Sequence, residues 1–470
     1  MKIYTTFGIY YIIFIIFSSC AVGPEYQRPE MIEKKTWSET GYSELTPSQI
    51  TRLDWWTLFN DAYLNELIQE ATEGSFDLKI LKMRIEEAGT SIKIARSALL
   101  PTLEASPRAE FTRMKFEGAP AETSHSYNVG GGVNWEIDLW GKNRRAHLAT
   151  KAGYKAIEAD YRAGYLKLVS EVAQSYFFIR EIDEEITITQ KSEKNNQQIL
   201  DIYQAQYDEG LIPQWQVLRQ EAQLKDLKKS LLELERNRKR LENRISTLLG
   251  KPAGEFKVPF STLRDKIHLV QVPIGLPSEL LLRRPDIVAA EYRLLESSHR
   301  IGEAEAARLP SLSMTSNGGL VSTALSQLLK QWTLGIAPNV NIPIFDGGRA
   351  KANAKKSKIA SQIAADQYQK TVMDAFEEVE NALINLDNIA KQKTVIEGKV
   401  QNLAQVRNQI HTKFKLGLIS QLELLDIEKE LLASELMSVN IYQRLLNDTV
   451  TLFKALGGGW SVDKISEKIN

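Results

Sequence analysis

Tyr127-Asn128-Val129-Gly130-Gly131-Gly132-Val133-Asn134-Trp135-Glu136-Ile137-Asp138-Leu139 decides the fold. Every odd-numbered residue in it is apolar, aromatic or Gly, and every even-numbered one is polar, charged or Gly. Successive strand side chains point to opposite faces, so the alternation predicts a strand with one apolar and one polar face. The pattern returns 205 residues later, Ile137 matching Ile342. There Trp332, Leu334, Ile336, Pro338, Val340, Ile342 and Ile344 alternate with Thr333, Gly335, Ala337, Asn339, Asn341 and Pro343. Weaker alternation near Leu103 to Phe111 and Leu312 to Ser316 predicts a further strand before each. In a membrane barrel such an apolar face meets lipid and the polar face meets a wet lumen. A soluble antiparallel sheet with one buried face is the other reading of the pattern.

Working outward, the rest of the chain repeats as well. Asp77 and Asp286, like Pro101 and Pro310, stand 209 residues apart. Gly210-Leu211-Ile212-Pro213-Gln214 returns as Gly417-Leu418-Ile419-Ser420-Gln421 at an offset of 207, and Leu248-Leu249-Gly250 as Ala455-Leu456-Gly457 at the same offset. Several matches in one order at nearly one offset make the chain two copies of one unit. The expected first unit covers 61–250, with strands about 102–115 and 125–140 and helices about 142–208 and 213–249. The second covers 278–457, with strands about 310–320 and 331–345 and helices about 349–415 and 421–456. Residues 251–277, with four prolines, read as the linker, and 458–470 as a tail.

The helices supply the other half of the architecture. Lys142 to Asp208 and Arg349 to Lys415 contain no proline. At 1.5 Å per residue each makes a rod of roughly 100 Å, far longer than the ~30 Å hydrocarbon core of a bilayer. Ala149, Ala152, Ala156, Ala159, Ala163 and Leu166 recur at alternating three- and four-residue steps, the spacing of a coiled coil. Four strands cannot close a barrel, since the smallest use about eight, and an open edge in lipid leaves backbone groups unpaired. Several chains must therefore contribute to one sheet.

Composition sets further limits. The 470 residues carry 59 basic and 59 acidic side chains, a balance that argues against nucleic acid as a partner. The single cysteine, Cys20, excludes an internal disulfide. Lys2 followed by the uncharged run Phe7 to Phe17, then Ser18-Ser19 before Cys20, has the layout of a secretory signal peptide over 1–19. It also resembles a bacterial lipobox in which the Cys20 thiol takes the lipid, with 20–60 the lipidated N-terminal segment. The run is shorter than the ~20 apolar residues a spanning helix needs. No His-x-x-x-His pair, Gly-x-x-x-x-Gly-Lys loop or Gly-x-Ser-x-Gly elbow occurs. Neither catalytic residues, a metal site nor a cofactor beyond the lipid on Cys20 is expected, and the chain does not read as an enzyme.

The chain resembles the TolC-like outer-membrane efflux family, in its lipoprotein (NodT-type) branch. The resemblance rests on Cys20-Ala21-Val22-Gly23-Pro24-Glu25-Tyr26-Gln27-Arg28-Pro29, on Trp55-Trp56 with Phe59 and Asp61, and on Leu276 through Ile287. Asn341-Ile342-Pro343-Ile344-Phe345-Asp346-Gly347-Gly348-Arg349 and Ala455-Leu456-Gly457-Gly458-Gly459-Trp460 complete it. The resemblance implies a mainly α protein with membrane β-strands: a homotrimer whose twelve-stranded barrel in the outer membrane continues as a periplasmic α-helical tunnel. It implies a passive exit duct for drugs or other small molecules, served by a periplasmic adaptor (membrane fusion) protein and an inner-membrane RND-type pump. The outer-membrane duct of a type I protein secretion system is the alternative on the same fold, and an envelope-spanning coiled coil without a lumen is a third reading.

Candidate working residues follow. The turns at Gly210 and Gly417 interrupt two long helical patterns and are expected at the periplasmic tip, where an adaptor would dock. Glu423 and Asp426 lie six and nine residues past Gly417, three apart on one helical face. The family carries acidic residues at matching offsets, which implies a periplasmic gate. The same offsets from Gly210 give Gln216 and Arg219, and Arg219 is expected to hold the closed state through ionic links. Trp135, Ile137, Trp332 and Leu334 are expected on the lipid face and Gly335 on the lumen side.

Overall fold

In a computed structural model of the chain, residues 22–29, 37, 54–267, 270, 283–416 and 418–458 are described. After a 3-10 turn at Trp55–Phe59, the first copy holds α1 (Ala62–Gly74), α2 (Phe76–Ser97), β1 (Thr102–Met114), β2 (Glu122–Ile137), α3 (Lys142–Asp208) and α4 (Gln214–Leu248). The second holds α5 (Pro285–Ala306), β3 (Ser311–Ser322), β4 (Trp332–Asn341), α6 (Arg349–Lys415) and α7 (Gln421–Ala455). The duplication is exact in the helices: α2 and α5 each have 22 residues, α3 and α6 each 67, α4 and α7 each 35.

Two compact units divide the described residues, one built from 22–29, Lys82–Ala159 and Ala289–Thr371 and the other from the remaining described residues. In the first unit the strands form one antiparallel sheet in the order β1-β2-β3-β4. The register joins the faces read from each strand. Leu103 pairs with Val133, Val133 with Ser316, and Ser316 with Ile336. Ala105, Gly131, Gly318 and Leu334 form the next row, and Pro107, Val129, Leu320 and Trp332 the one after. Directly paired residues share a face, so one face of the sheet is apolar across all four strands. The glycines of β2 sit where strands crowd: a Cβ on Gly131 would meet the Glu104 carbonyl oxygen at 2.8 Å, and one on Gly132 would meet Asn317 Oδ1 at 2.7 Å.

Two strand ends differ from expectation. β2 stops at Ile137 rather than near 140, because Asp138 leaves the ladder to cap α3, accepting from the backbone N–H groups of Asn143 at 3.0 Å and Arg144 at 2.8 Å. β4 stops at Asn341 rather than near 345. Pro343 has no N–H for a ladder, and Asp346 repeats the capping role by accepting from the Gly348 and Ala350 N–H groups at 2.9 and 2.8 Å. A carboxylate just ahead of a helix is also stabilised by the positive end of its dipole.

The second unit is a helical assembly with aromatic and ionic fastenings. Trp55 stacks on Phe453 at 5.1 Å between centroids and Phe59 meets Phe177 edge-on. Asp61 caps α1 by accepting from Leu64 N–H at 3.1 Å, and accepts the Tyr176 hydroxyl at 2.6 Å. The linker read from the prolines is tied down along 258–264. Val258 donates to Glu242 at 3.0 Å, Ser261 to Asp183 at 3.1 Å, and Leu263 to Glu184 at 3.1 Å. Arg180 and Arg238 both close on Asp183, which is 0% exposed. Arg284 pairs with Asp286 and Glu378 and donates to the carbonyl of Ala455 at 3.1 Å, capping the last turn of α7. Burial alone would lower its pKa, but the Asp286 and Glu378 carboxylates together outweigh that and raise it.

Candidate functional site

The candidate site begins with the sheet. Trp332 is 75% exposed and Leu334 67%, and by register both share a face with Trp135 and Ile137. Gly335 lies on the other face, opposite Asn317. The polar face carries Glu104, Ser106, Asn128, Thr315, Asn317 and Thr333 around a shallow recess of about 430 Å³. β1 and β4 each have only one neighbour in the sheet, so the chain presents two unpaired strand edges. Among the described residues no helix is long and apolar enough to cross a membrane, and no cluster of His, Cys, Asp and Glu is suited to a metal.

The turn at Gly210 follows from its chemistry. Gly210 adopts φ +71°, a left-handed conformation that suits a residue without Cβ. Its N–H donates to Tyr207 at 2.9 Å and that of Leu211 to Gln206 at 2.8 Å, the paired bonds of a Schellman helix end. Pro213, with φ −77°, then starts α4. The second turn repeats the outer bond, Leu418 N–H to Lys413 at 3.0 Å, while Gly417 itself lies outside the described residues, as does Cys20. Behind the turns Ile199, Tyr203, Val217, Leu424 and Ile427 form one buried cluster, uniting α3, α4 and α7.

That cluster orients the expected gate residues. Leu424, Leu425, Ile427 and Glu428 face inward, leaving Glu423 and Asp426 exposed on α7. Arg219 is exposed on α4. Among the described residues no ion pair joins Arg219 to either carboxylate, and Glu423 accepts only a long bond, 3.4 Å, from Ser420 Oγ. Within one chain the structure does not bring the three together. It shows instead an ion pair that sequence reasoning missed, Arg407 Nε to Glu428 Oε1 at 2.8 Å, with the Glu428 side chain 7% exposed. Between α3 and α4 of the first copy an uncharged bridge joins Gln220 to Asn196 at 3.0 Å. Further along α3, burial pushes the Glu181 carboxyl up to about 7, against the opposing hydrogen bond from Asn440 at 2.9 Å.

The sequence profile described as outer membrane efflux protein matches residues 67–251 and 276–458. The chain belongs to that family. The two matched segments are its two copies. The efflux protein is 30% identical to the probable outer membrane lipoprotein SilC of Salmonella typhimurium, covering 95% of this chain and 97% of that one. To the cation efflux system protein CusC of Escherichia coli O6:H1 it is 28% identical, over 94% and 96% of the two chains. Among solved structures, the outer-membrane channel OprN superposes with a TM-score of 0.86 at 27% identity, over 94% of this chain and all of that one. The efflux protein is thus an outer-membrane channel component of an efflux system, with the mixed helical and barrel-strand fold of these channels.

Proposed function

We propose that three copies of this efflux protein close their four-stranded sheets into one twelve-stranded barrel and their long helices into a periplasmic tunnel, a passive duct through which small molecules leave the cell. One observation carries the reading: a four-stranded sheet in which every strand places mostly apolar side chains on the same face while both of its edges lack a partner within the chain. An apolar face turned outward suits lipid, and two open edges are tolerable there only when each meets another chain. Exposed apolar side chains along α2, at Phe76, Ile80, Met83 and Ile94, and along α6, at Ile359 and Ile363, supply helix faces for the same contacts.

Energy for export comes from partners in this reading: an inner-membrane RND-type pump and a periplasmic adaptor that meets the turns at Gly210 and Gly417. Cys20 carries the lipid, in keeping with the lipoprotein name of SilC. Asp426 and Glu423, in three copies, narrow the tip, and Arg219 of a neighbouring copy holds it closed. The deciding experiment is single-channel recording in a planar bilayer. A conducting pore supports the duct, and a membrane-inserted protein without conductance leaves only a structural role.

A further inference from the structure

The N-terminal stretches of α3 and α6, roughly the first three to four turns of each, carry charge of one sign only until Glu158 and Asp366. Lys142, Arg144, Arg145, Lys151 and Lys155 occur with no acidic residue before Glu158, and Arg349, Lys351, Lys355, Lys356 and Lys358 with none before Asp366. The chain as a whole balances at 59 and 59, so these ten positive charges are segregated rather than incidental to composition. Helix stability does not explain them, since cations in a first turn oppose the macrodipole. Both copies nevertheless keep them in register: Arg144 corresponds to Lys351 and Lys151 to Lys358 at the offset of 207.

The side on which they lie can be read within the first unit. Arg349, Asn353 and Ser357 line a recess of about 600 Å³ together with Glu136, Ser311 and Asn341, which belong to the polar face of the sheet. At 100° per residue, Lys351, Lys355 and Lys358 occupy the opposite flank of α6, the side of the sheet's apolar face. Lys358 is tied to Glu305 at 2.7 Å. Lys151, Lys351 and Lys355 are exposed and have no ionic partner among the described residues. Immediately before α6 comes an apolar collar: Ile344 is 95% exposed and Phe345 90%. From Arg349 to Lys355 the helix rises only ~9 Å, comparable with the several ångströms of headgroup region on each side of a bilayer.

We propose that Lys151 on α3 and Lys351 and Lys355 on α6 form a cationic collar that binds anionic phospholipid headgroups of the membrane leaflet where the strands give way to helices. The collar rests on the reading of the sheet as part of a membrane barrel. Apolar side chains enter the acyl layer, and the lysines immediately beyond meet phosphates. Each basic side chain near an anionic surface favours association about fivefold, an effect that salt weakens.

The test uses the full-length protein in vesicles of phosphatidylglycerol and phosphatidylethanolamine in equal parts. After extraction in mild detergent, the lipid retained on the protein is identified by mass spectrometry. Wild type is expected to retain about five phosphatidylglycerol molecules for each phosphatidylethanolamine, with the excess falling at high salt. Lys351→Glu combined with Lys355→Glu should abolish the excess, whereas Lys228→Glu with Lys239→Glu on α4 should not. If the reversal variant does not assemble, Lys351→Gln with Lys355→Gln is read in its place and should lower the excess. Retention in the bulk ratio by wild type, or equal loss in the α4 control, overturns the collar. Insertion is read separately by flotation: wild type that enters no vesicle overturns the barrel reading and the collar with it, while insertion without lipid preference overturns the collar alone.

Discussion

Arg238 Nε donates to Asp183 Oδ1 across 2.6 Å, and the carboxylate it meets is wholly buried. The second oxygen accepts from Arg180 at 3.1 Å and from the backbone of Ser261 at 3.1 Å, so a single side chain joins α3, α4 and the segment between the two copies. Removing one member of a buried ionic group leaves the others charged and unpaired, at a cost of about 3–5 kcal/mol. Asp183→Ala should therefore lower the thermal midpoint sharply and make residues 251–267 sensitive to limited proteolysis. Exchanging the exposed Asp226 for Ala is the control, expected within about 0.5 kcal/mol of wild type. Equal midpoints for the two variants would show that the network contributes nothing.

Glu181 supplies a pH dependence. Its carboxyl titrates at about 7 in the folded chain, against an ordinary 4.5. Between those values the folded state holds the proton and the unfolded state does not, so stability falls as pH rises through that window. The full effect is bounded by roughly 3 kcal/mol. Glu181→Gln should flatten the thermal midpoint between pH 5 and about 8 and raise it at the alkaline end. A variant with the same pH slope as wild type would place the titration elsewhere.

Much of this architecture was legible because it repeats. The alternation from Tyr127 to Leu139 is local, and its polarity survives in the register with β1 and β3. The proline-free spans became helices of equal length because nothing within them breaks the backbone pattern. What the sequence did not disclose depends on distance along the chain. Arg238 lies 55 residues from Asp183, and Arg407 lies 21 residues from Glu428. No spacing rule joins such pairs, so each reads as one more charge on an exposed helix. The early end of β4 was readable in principle from Pro343 and from Asp346 placed to cap α6, but the alternation runs past Pro343 to Ile344 and hid it. For the gate, Glu423 and Asp426 share an exposed face as their spacing requires.

The two faces of β4 should respond differently to charge. Leu334 is 67% exposed on the apolar face, and Arg at the midplane of a barrel's lipid face costs about 2–4 kcal/mol. Leu334→Arg should reduce the amount of assembled protein in outer-membrane fractions more than Gly335→Arg, which enters the polar face. Equal yields would contradict the assignment of faces.

Asp426, Glu423 and Arg219 are exposed in the single chain, so substitution by Ala should leave folding intact; exposed charges typically contribute about 0–1 kcal/mol. A ring of three carboxylates at the tip would attract cations and block with multivalent ones. Asp426→Ala is expected to weaken block by a trivalent cation, and Arg219→Ala to raise resting conductance. Wild-type recordings from all three variants would remove the gate from these positions.

Closure of the sheet by neighbouring chains is tested most directly by the mass of the purified protein in mild detergent. Native mass spectrometry is predicted to give three chains in one assembly, stable until the detergent or temperature that unfolds the sheet. A monomer or dimer carrying an intact sheet would leave the edges of β1 and β4 open and would contradict it.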